Sequence, residues 1–432
     1  MRILHITAQK PDSTGSGIYL HQLVSSLDQL GMSQAVLCGI DSGDAIDLPP
    51  GVSAFPVVFN TPQLPFHLCG MSDEMPYPST RYRDLTPPML AAWKEAYRAA
   101  IRQALDSFEP DVVLCNHLYL LTALVVEELE SRPQRPAAAA ICHNTCLRQL
   151  EQHSLERERI RAAIPRLDLV FALHSEQAGR ICSSFELDPA KLRIIGTGYD
   201  AGIFNPSPHA PLDKRTPAAE PSVELCFAGK ITYKKGVHSL LNALNLLPCR
   251  PGVVHLRLCG GVSNSFQKAA IELLIQENRQ DVQLMGKLTP AQLAEQMRAS
   301  QVFVLPSFYE GLPLVVVEAL ACGCKVVVSE LPGLRPWIEE NLPGAPVWYV
   351  PLPRMQEVDE PVKRDLPAFE RRLAQAIKDA TLAPPCTIDC THLSWDSLAA
   401  RLLAALAESG FPPNEGVVEL ENQNDPMGGS CC

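Results

Sequence analysis

The chain has 432 residues, enough for two domains of ordinary size, and its 46% hydrophobic and 20% charged content is that of a soluble globular protein. A net charge of −11 speaks against a nucleic-acid-coating surface and gives no general pull toward anionic membranes; membrane-surface association stays open but is not indicated. Fifteen cysteines, an odd number without a C-x2-C pair, read as free thiols in a reducing cytoplasm. Met1–Ala8 reads as a strand rather than a secretory leader, and no run reaches the ~18 apolar residues that span a bilayer.

Arg2–Ala8 (RILHITA) reads as a buried strand. Ile18–Leu30 then places Leu20, Leu23, Val24, Leu27 and Leu30 at helical spacing, so Gly15-Ser16-Gly17 stands between strand and helix. Backbone N–H groups there can meet a phosphate, but position 20 is leucine where a dinucleotide fingerprint has its third glycine, and a plain turn fits equally well. Val36–Cys38 and Ala54–Phe59 continue as strands. Asn60–Pro88, with six prolines and the aromatic and basic groups of Tyr77, Arg81, Tyr82 and Arg83, is a long irregular segment that reads as an ordered functional loop, with a mobile surface loop as the alternative.

Met89–Phe108 reads as an amphipathic helix. The strands Asp111–Asn116 and Ala137–Cys142 end at His117 and His143. A histidine just past a strand's C-terminal end can reach a ligand, although a lone histidine is more often structural. Cys142, His143 and Cys146 match no zinc spacing. Leu169–His174 and Leu192–Ile195 complete this alternation, the latter followed by Gly196-Thr197-Gly198-Tyr199-Asp200 and Phe204. Asn205–Ser222, with five prolines and little to bury, reads as a linker.

Beyond it, strands at Val223–Ala228, His255–Cys259, Val282–Met285, Val302–Leu305 and Lys325–Val328 alternate with helices starting near Gly236, Ser265, Pro290, Pro313 and Leu334. That alternation predicts a second parallel sheet covered on both faces. The first of these strands runs into Gly229-Lys230, and Lys234-Lys235-Gly236 opens the next helix. Two ammonium groups at that edge can neutralise a diphosphate that gains charge as a glycosidic bond breaks; a solvated lysine cluster has the same spacing. Between the two valine-rich strands lies Ser307–Gly323 (SFYEGLPLVVVEALACG), where Pro313 suits the first helical position and Gly323 the cap. Glu310 falls at the strand's C-terminal end and Glu318 on the helix. Two carboxylates beside a helix N-terminus suit the hydroxyls of a sugar or ribose better than an anion. Val347–Val350 is a further strand. Helices follow at about 367–382 and at Trp395–Leu406, and 410–432 reads as disordered.

Ser307, Glu310-Gly311-Leu312-Pro313, Glu318-Ala319 and Gly323, together with Lys230 and Lys234-Lys235-Gly236, resemble the donor-site signature of retaining nucleotide-sugar glycosyltransferases, family 4 (glycosyl transferases group 1). The resemblance extends over about residues 1–408. It implies an α/β fold of GT-B type, two Rossmann-like β/α/β domains facing an interdomain cleft. Residues 1–205 would form the acceptor side, with Asn60–Pro88 as an acceptor loop, 206–222 the linker and 223–392 the nucleotide-sugar donor side. Residues 393–409 would brace the first domain, and 410–432 would be a tail. The implied reaction moves a sugar from a nucleoside diphosphate to a carbohydrate, lipid-linked or other hydroxyl acceptor, with retention of configuration. Lys230 and Lys235 would stabilise the leaving diphosphate with the Gly311 and Leu312 N–H groups, and Gly15 and Gly17 would face it across the cleft. Gly260 would approach the nucleotide, Glu310 would hold sugar hydroxyls, Glu318 the ribose, and His143 would lie near the reacting carbon; Met285-Gly286-Lys287-Leu288 corresponds to the base site. The sequence departs from the family at Lys230, where arginine is usual, and at Thr197 and Tyr199, where asparagine and a small apolar residue are usual. No D-x-D pair occurs in the chain, so a metal-bridged diphosphate is not implied, nor is any cofactor beyond the donor. Two other readings stand beside this one: a GT-B nucleotide-sugar hydrolase or epimerase, and a non-catalytic partner subunit that binds nucleotide sugar.

Overall fold

Valine- and alanine-rich runs too short for helices alternate with amphipathic stretches, and they build two all-parallel sheets. The structure is a computed structural model that describes residues 1–72, 75–206, 222–262, 265–357 and 359–411. Positions 207–221 of the expected linker and 412–432 of the expected tail lie outside the described residues.

The first half runs β1 Arg2–Ile6, α1 Gly15–Gln29, β2 Ser33–Asp41, β3 Ser53–Phe59, β4 Cys69–Gly70, β5 Thr80–Arg81, α2 Pro87–Phe108, β6 Val112–Asn116, α3 Leu120–Glu130, β7 Ala137–Ile141, α4 Thr145–Gln152, α5 Arg157–Ala163, β8 Leu169–Ala172, α6 Ser175–Phe185 and β9 Leu192–Ile194. Its seven-stranded sheet has the order β3-β2-β1-β6-β7-β8-β9. The second half runs β10 Val223–Ala228, α7 Val237–Asn245, β11 Val254–Cys259, α8 Ser265–Gln276, β12 Asp281–Gly286, α9 Pro290–Arg298, β13 Val302–Leu305, α10 Leu314–Ala321, β14 Lys325–Ser329, α11 Leu334–Asn341, β15 Val347–Val350, β16 Met355–Glu357, β17 Glu360–Pro361, α12 Leu366–Leu382 and α13 Trp395–Glu408. Its six-stranded sheet has the order β12-β11-β10-β13-β14-β15.

Each sheet reverses direction of growth once, between β1 and β6 in the first and between β10 and β13 in the second. At such a switch point neighbouring loops leave in opposite directions and open a crevice at the strands' C-terminal edge. The loops concerned are 7–14 and 117–119 in one sheet, 229–236 and 306–313 in the other.

Helix α13 returns from the second half to α1. The Trp395 indole meets the Tyr19 ring edge-on at 5.0 Å, and Ser26 Oγ donates to Asp396 Oδ1 at 2.7 Å. Trp395 and Tyr199 are joined through their backbones, Trp395 N to Tyr199 O at 3.1 Å.

Two local readings change. Helix α1 begins at Gly15, three residues before its apolar periodicity, because Thr14 caps it: Thr14 Oγ1 accepts from Gly17 N at 3.0 Å. Pro313 is the N-cap of α10 rather than its first helical residue. The described part of the proline-rich 60–88 segment is ordered, as expected, and packs against the first half, with Tyr82 buried 5.1 Å from the Tyr119 ring and 6.3 Å from that of Trp93.

Candidate active site

The two switch points face one another across a single cleft of about 1350 Å³. Gly15 and His143 line it from the first sheet, and Lys230, Lys235, Glu310, Gly311, Leu312 and Glu318 from the second.

The second-sheet wall is built from two loops tied together, with Phe308 N donating to Lys234 O at 3.0 Å. Glu310 Oε1 receives both Lys235 Nζ at 2.5 Å and Ser307 Oγ at 2.9 Å. Lys235 and Glu310 thus neutralise each other as an ion pair on this wall. Glu318 sits one helix turn into α10, partly buried and facing the cleft. Burial first, and the charge of Asp200 second, push its carboxyl up from the usual 4.5 to about 8. At neutral pH it is largely protonated and can both donate to and accept from a hydroxyl.

On the first-sheet wall, His143 Nε2 donates to Asn116 Oδ1 at 2.9 Å. Its ring meets those of His117 and Tyr19 edge-on at 4.9 and 5.0 Å. Burial, then the neighbouring His117, hold its pKa well below the usual 6.5. The imidazole is therefore neutral and, with Nε2 protonated, keeps Nδ1 as an acceptor. His117, at a left-handed φ of 75°, is a hydrogen-bond hub instead: its Nε2 lies 2.9 Å from Gln9 Nε2 and 3.1 Å from Ser16 Oγ. The neighbouring thiols of Cys142 and Cys146 are buried 3.5 Å apart.

Two expected glycines are not in the cleft lining. The Gly17 N–H is spent on the Thr14 cap, and a Cβ on Gly17 would come within 2.9 Å of Lys10 O; it lets the helix lie close against the preceding loop. Gly260, at φ 149°, donates its N–H to Gly286 O at 2.8 Å, and a Cβ there would fall 1.8 Å from Gly229 O. It supports the Gly229–Lys230 turn from beneath.

Sequence reasoning missed Asn144, Arg148 and Asp359. Asn144 follows His143 at φ 67°, and its Nδ2 donates to Glu310 O at 3.2 Å, joining the two walls beside both candidate catalytic groups. Arg148 on α4 and Lys234 both reach Asp359 Oδ2, at 3.0 and 2.9 Å. An asparagine after a strand-end histidine was a usable signal for a left-handed residue; Asp359 carried none.

Residues 13–202 match the family model described as Glycosyltransferase Family 4, and residues 211–347 that described as Glycosyl transferases group 1. Among relatives, the α-maltose-1-phosphate synthase of Mycobacterium tuberculosis is 31% identical over 213 residues, 47% of this chain and 50% of that protein. The D-inositol 3-phosphate glycosyltransferase of Pseudarthrobacter chlorophenolicus is 26% identical over 336 residues, 75% of this chain and 76% of that protein. The chain spans about half the length of the first curated relatives it matches. Among solved structures, sucrose-phosphate synthase from Thermosynechococcus elongatus superposes with a TM-score of 0.63 at 21% identity, over 95% of this chain and 99% of that one. Anabaena HepE in complex with UDP and glucose gives 0.59 at 16% identity, over 94% of this chain and 100% of that one. The two facing parallel sheets are thus the GT-B fold.

Proposed function

The chain belongs to glycosyltransferase family 4, the glycosyl transferases group 1, and from that premise we propose that it moves a sugar from a nucleoside diphosphate to an acceptor hydroxyl, with retention of configuration and without a metal ion. The observation that carries this reading is the meeting of both switch points in one cleft, with Lys230, Lys235 and Glu310 on one wall and His143 on the other.

The diphosphate draws the Lys235 ammonium away from Glu310, and the freed carboxylate turns to the donor sugar's hydroxyls. Lys230 and the Gly311 and Leu312 N–H groups share the diphosphate's charge, which grows as its bond to the anomeric carbon breaks. Retention requires the acceptor oxygen to bond to that carbon on the face the diphosphate leaves, its proton passing to a departing diphosphate oxygen. His143, being neutral, accepts a hydrogen bond from the sugar rather than competing with Lys235 for the anion. Glu318 takes the ribose hydroxyls. HepE, which shares the fold, is named as a complex with UDP and glucose, so uridine donors head the panel to be tried.

The test is a panel of nucleotide sugars ranked by thermal stabilisation, followed by acceptor trials with the best donor in EDTA, the product's anomeric configuration being read by NMR. Transfer with the donor's configuration and undiminished in EDTA is expected. Inverted product, or activity lost in EDTA and restored by Mg²⁺ or Mn²⁺, would overturn the proposal. Release of free sugar alone would favour a hydrolase.

A further inference from the structure

Two thiols that the proposed transfer does not use stand directly behind the first-sheet wall. Cys142 follows β7 and Cys146 is the second residue of α4, with only His143, Asn144 and Thr145 between them. Both are fully buried, and their sulfurs lie 3.5 Å apart. A disulfide needs ~2.05 Å, so an approach of about 1.5 Å separates this contact from a bond. The two thiols are not equivalent. Cys146 lies in the first turn of α4, where free N–H groups and the positive end of the helix favour a thiolate. Burial opposes that charge, but Cys142 donates to the Cys146 sulfur, and the His117 imidazole and the Leu118 N–H face it as well; together they hold its pKa well below the usual 9. Gln9 Nε2 donates to His117 Nε2 at 2.9 Å, which leaves the ring proton on Nδ1, the nitrogen 3.4 Å from Thr145 Oγ1 at the start of α4. Burial first, and Cys146 second, push Cys142 the other way. One sulfur is thus a nucleophile and the other a protonated thiol in contact with it, the arrangement that oxidisable cysteines share.

We propose that Cys146 and Cys142 form an oxidation site, at which hydrogen peroxide converts the two thiols to a disulfide and so displaces His143 and Asn144 from the cleft wall. The Cys146 thiolate attacks one peroxide oxygen; the O–O bond breaks, hydroxide leaves and Cys146 becomes a sulfenic acid. The Cys142 sulfur then attacks the Cys146 sulfur, and the S–OH oxygen leaves as water with the Cys142 proton. Two electrons pass from the thiols to one peroxide, which is reduced to water and hydroxide. The oxidant comes from the cleft, because His143 and Thr145, chain neighbours of the two cysteines, line it. Joining the sulfurs draws together the ends of the stretch between them. That stretch carries the bond from His143 Nε2 to Asn116 Oδ1 at 2.9 Å, and the bond from Asn144 Nδ2 to Glu310 O at 3.2 Å on the opposite wall. The disulfide itself is independent of the transferase reading; its effect on sugar transfer rests on that reading.

In the experiment the full chain is reduced, freed of reductant and treated with hydrogen peroxide. It is then denatured and alkylated, and its cysteine peptides are weighed by mass spectrometry. In wild type, Cys142 and Cys146 should escape alkylation, their peptide two hydrogens lighter. This should precede any bridge between Cys226 and Cys259, whose sulfurs are 4.0 Å apart on the neighbouring strands β10 and β11. Cys142→Ser should halt at a sulfenic acid on Cys146 that dimedone captures, whereas Cys146→Ser should leave Cys142 reduced. Given a working donor and acceptor, oxidised wild type should transfer sugar about 100-fold more slowly, the cost of misplacing a catalytic group by about an ångström, and recover with dithiothreitol. Cys146→Ser should keep its rate through the same treatment. Full alkylation of Cys142 and Cys146 after peroxide, or a Cys226–Cys259 bridge that forms first, overturns the site. A bridged protein that transfers as fast as the reduced one overturns its effect on the cleft. Should the serine variants fail to fold, the wild-type peptide masses still decide the site. Reduced protein that transfers no sugar from any donor would count against the transferase reading instead, so the two failures appear in different measurements.

Discussion

Glu318→Gln separates what the donor site needs from what the fold would prefer. Burial raises the Glu318 carboxyl from 4.5 to about 8, so the folded protein keeps a proton that the unfolded chain gives up over that range. Stability from this group is complete below about pH 4.5 and is lost as pH rises through about 8. At ~1.4 kcal/mol per pH unit the interval sets a ceiling of ~5 kcal/mol. The carboxyl opens onto a wet cleft, where the effective dielectric is nearer 20 than 4, and ~2 kcal/mol is the working figure. Glutamine has no proton to lose. The variant should therefore melt with wild type near pH 4.5 and about 4–8 °C above it at pH 8, taking 2–4 °C per kcal/mol for domains of this size. Differential scanning calorimetry across pH 4.5–8.5 reads this directly. Nucleoside-diphosphate affinity should fall in the same variant, because a carboxyl that can shed its proton and accept at both oxygens is replaced by an amide whose nitrogen only donates. A melting-temperature gap that does not change with pH, or a variant less stable than wild type at pH 8, would refute the reasoning.

Two further substitutions probe the phosphate side. Lys235→Ala should lower kcat by ~10²–10³ with little change in donor KM, because its charge acts most on the diphosphate as it leaves; a folded variant with wild-type kcat would remove Lys235 from the reaction. Gly260→Ala places a Cβ 1.8 Å from Gly229 O at φ 149° and should cost ~1–3 kcal/mol or more in denaturant unfolding while raising donor KM through the Lys230 turn; unchanged stability would show that the two loops yield more easily than their packing implies.

The second sheet was the more legible half. Val223–Ala228, Val302–Leu305 and Val347–Val350 are read from sequence at their observed bounds, because buried parallel strands are near-continuous apolar runs with polar or turn residues at each end. The start of α1 was not legible from apolar spacing, because its first turn is Gly-Ser-Gly and depends on the Thr14 cap. Strands β4, β5, β16 and β17, of two or three residues each, are too short to carry a period. Motifs located Lys235 and Glu310, but their pairing spans 75 residues of sequence, and that of Arg148 with Asp359 spans 211. Contacts of that range follow from how the sheets face each other, which no local pattern encodes.

These long-range pairs have a common physical cause. On the transferase reading, a cleft that accepts a diphosphate, a sugar and a ribose collects cations and carboxylates that would repel or be stranded if left alone. Here Lys235 is answered by Glu310, Arg148 and Lys234 by Asp359, and Glu318 by retaining its proton. On the transferase reading, Glu310 gives way when the donor supplies Lys235 with a better partner. Binding is then an exchange of ion pairs rather than the filling of an empty charged pocket, and much of the gross attraction for the anion is cancelled. What would survive the exchange on that reading is the part specific to the ligand's shape and charge number: two phosphates for Lys230 and Lys235, hydroxyls for Glu310 and Glu318. Local rules find such residues individually; their function lies in the partner each one leaves.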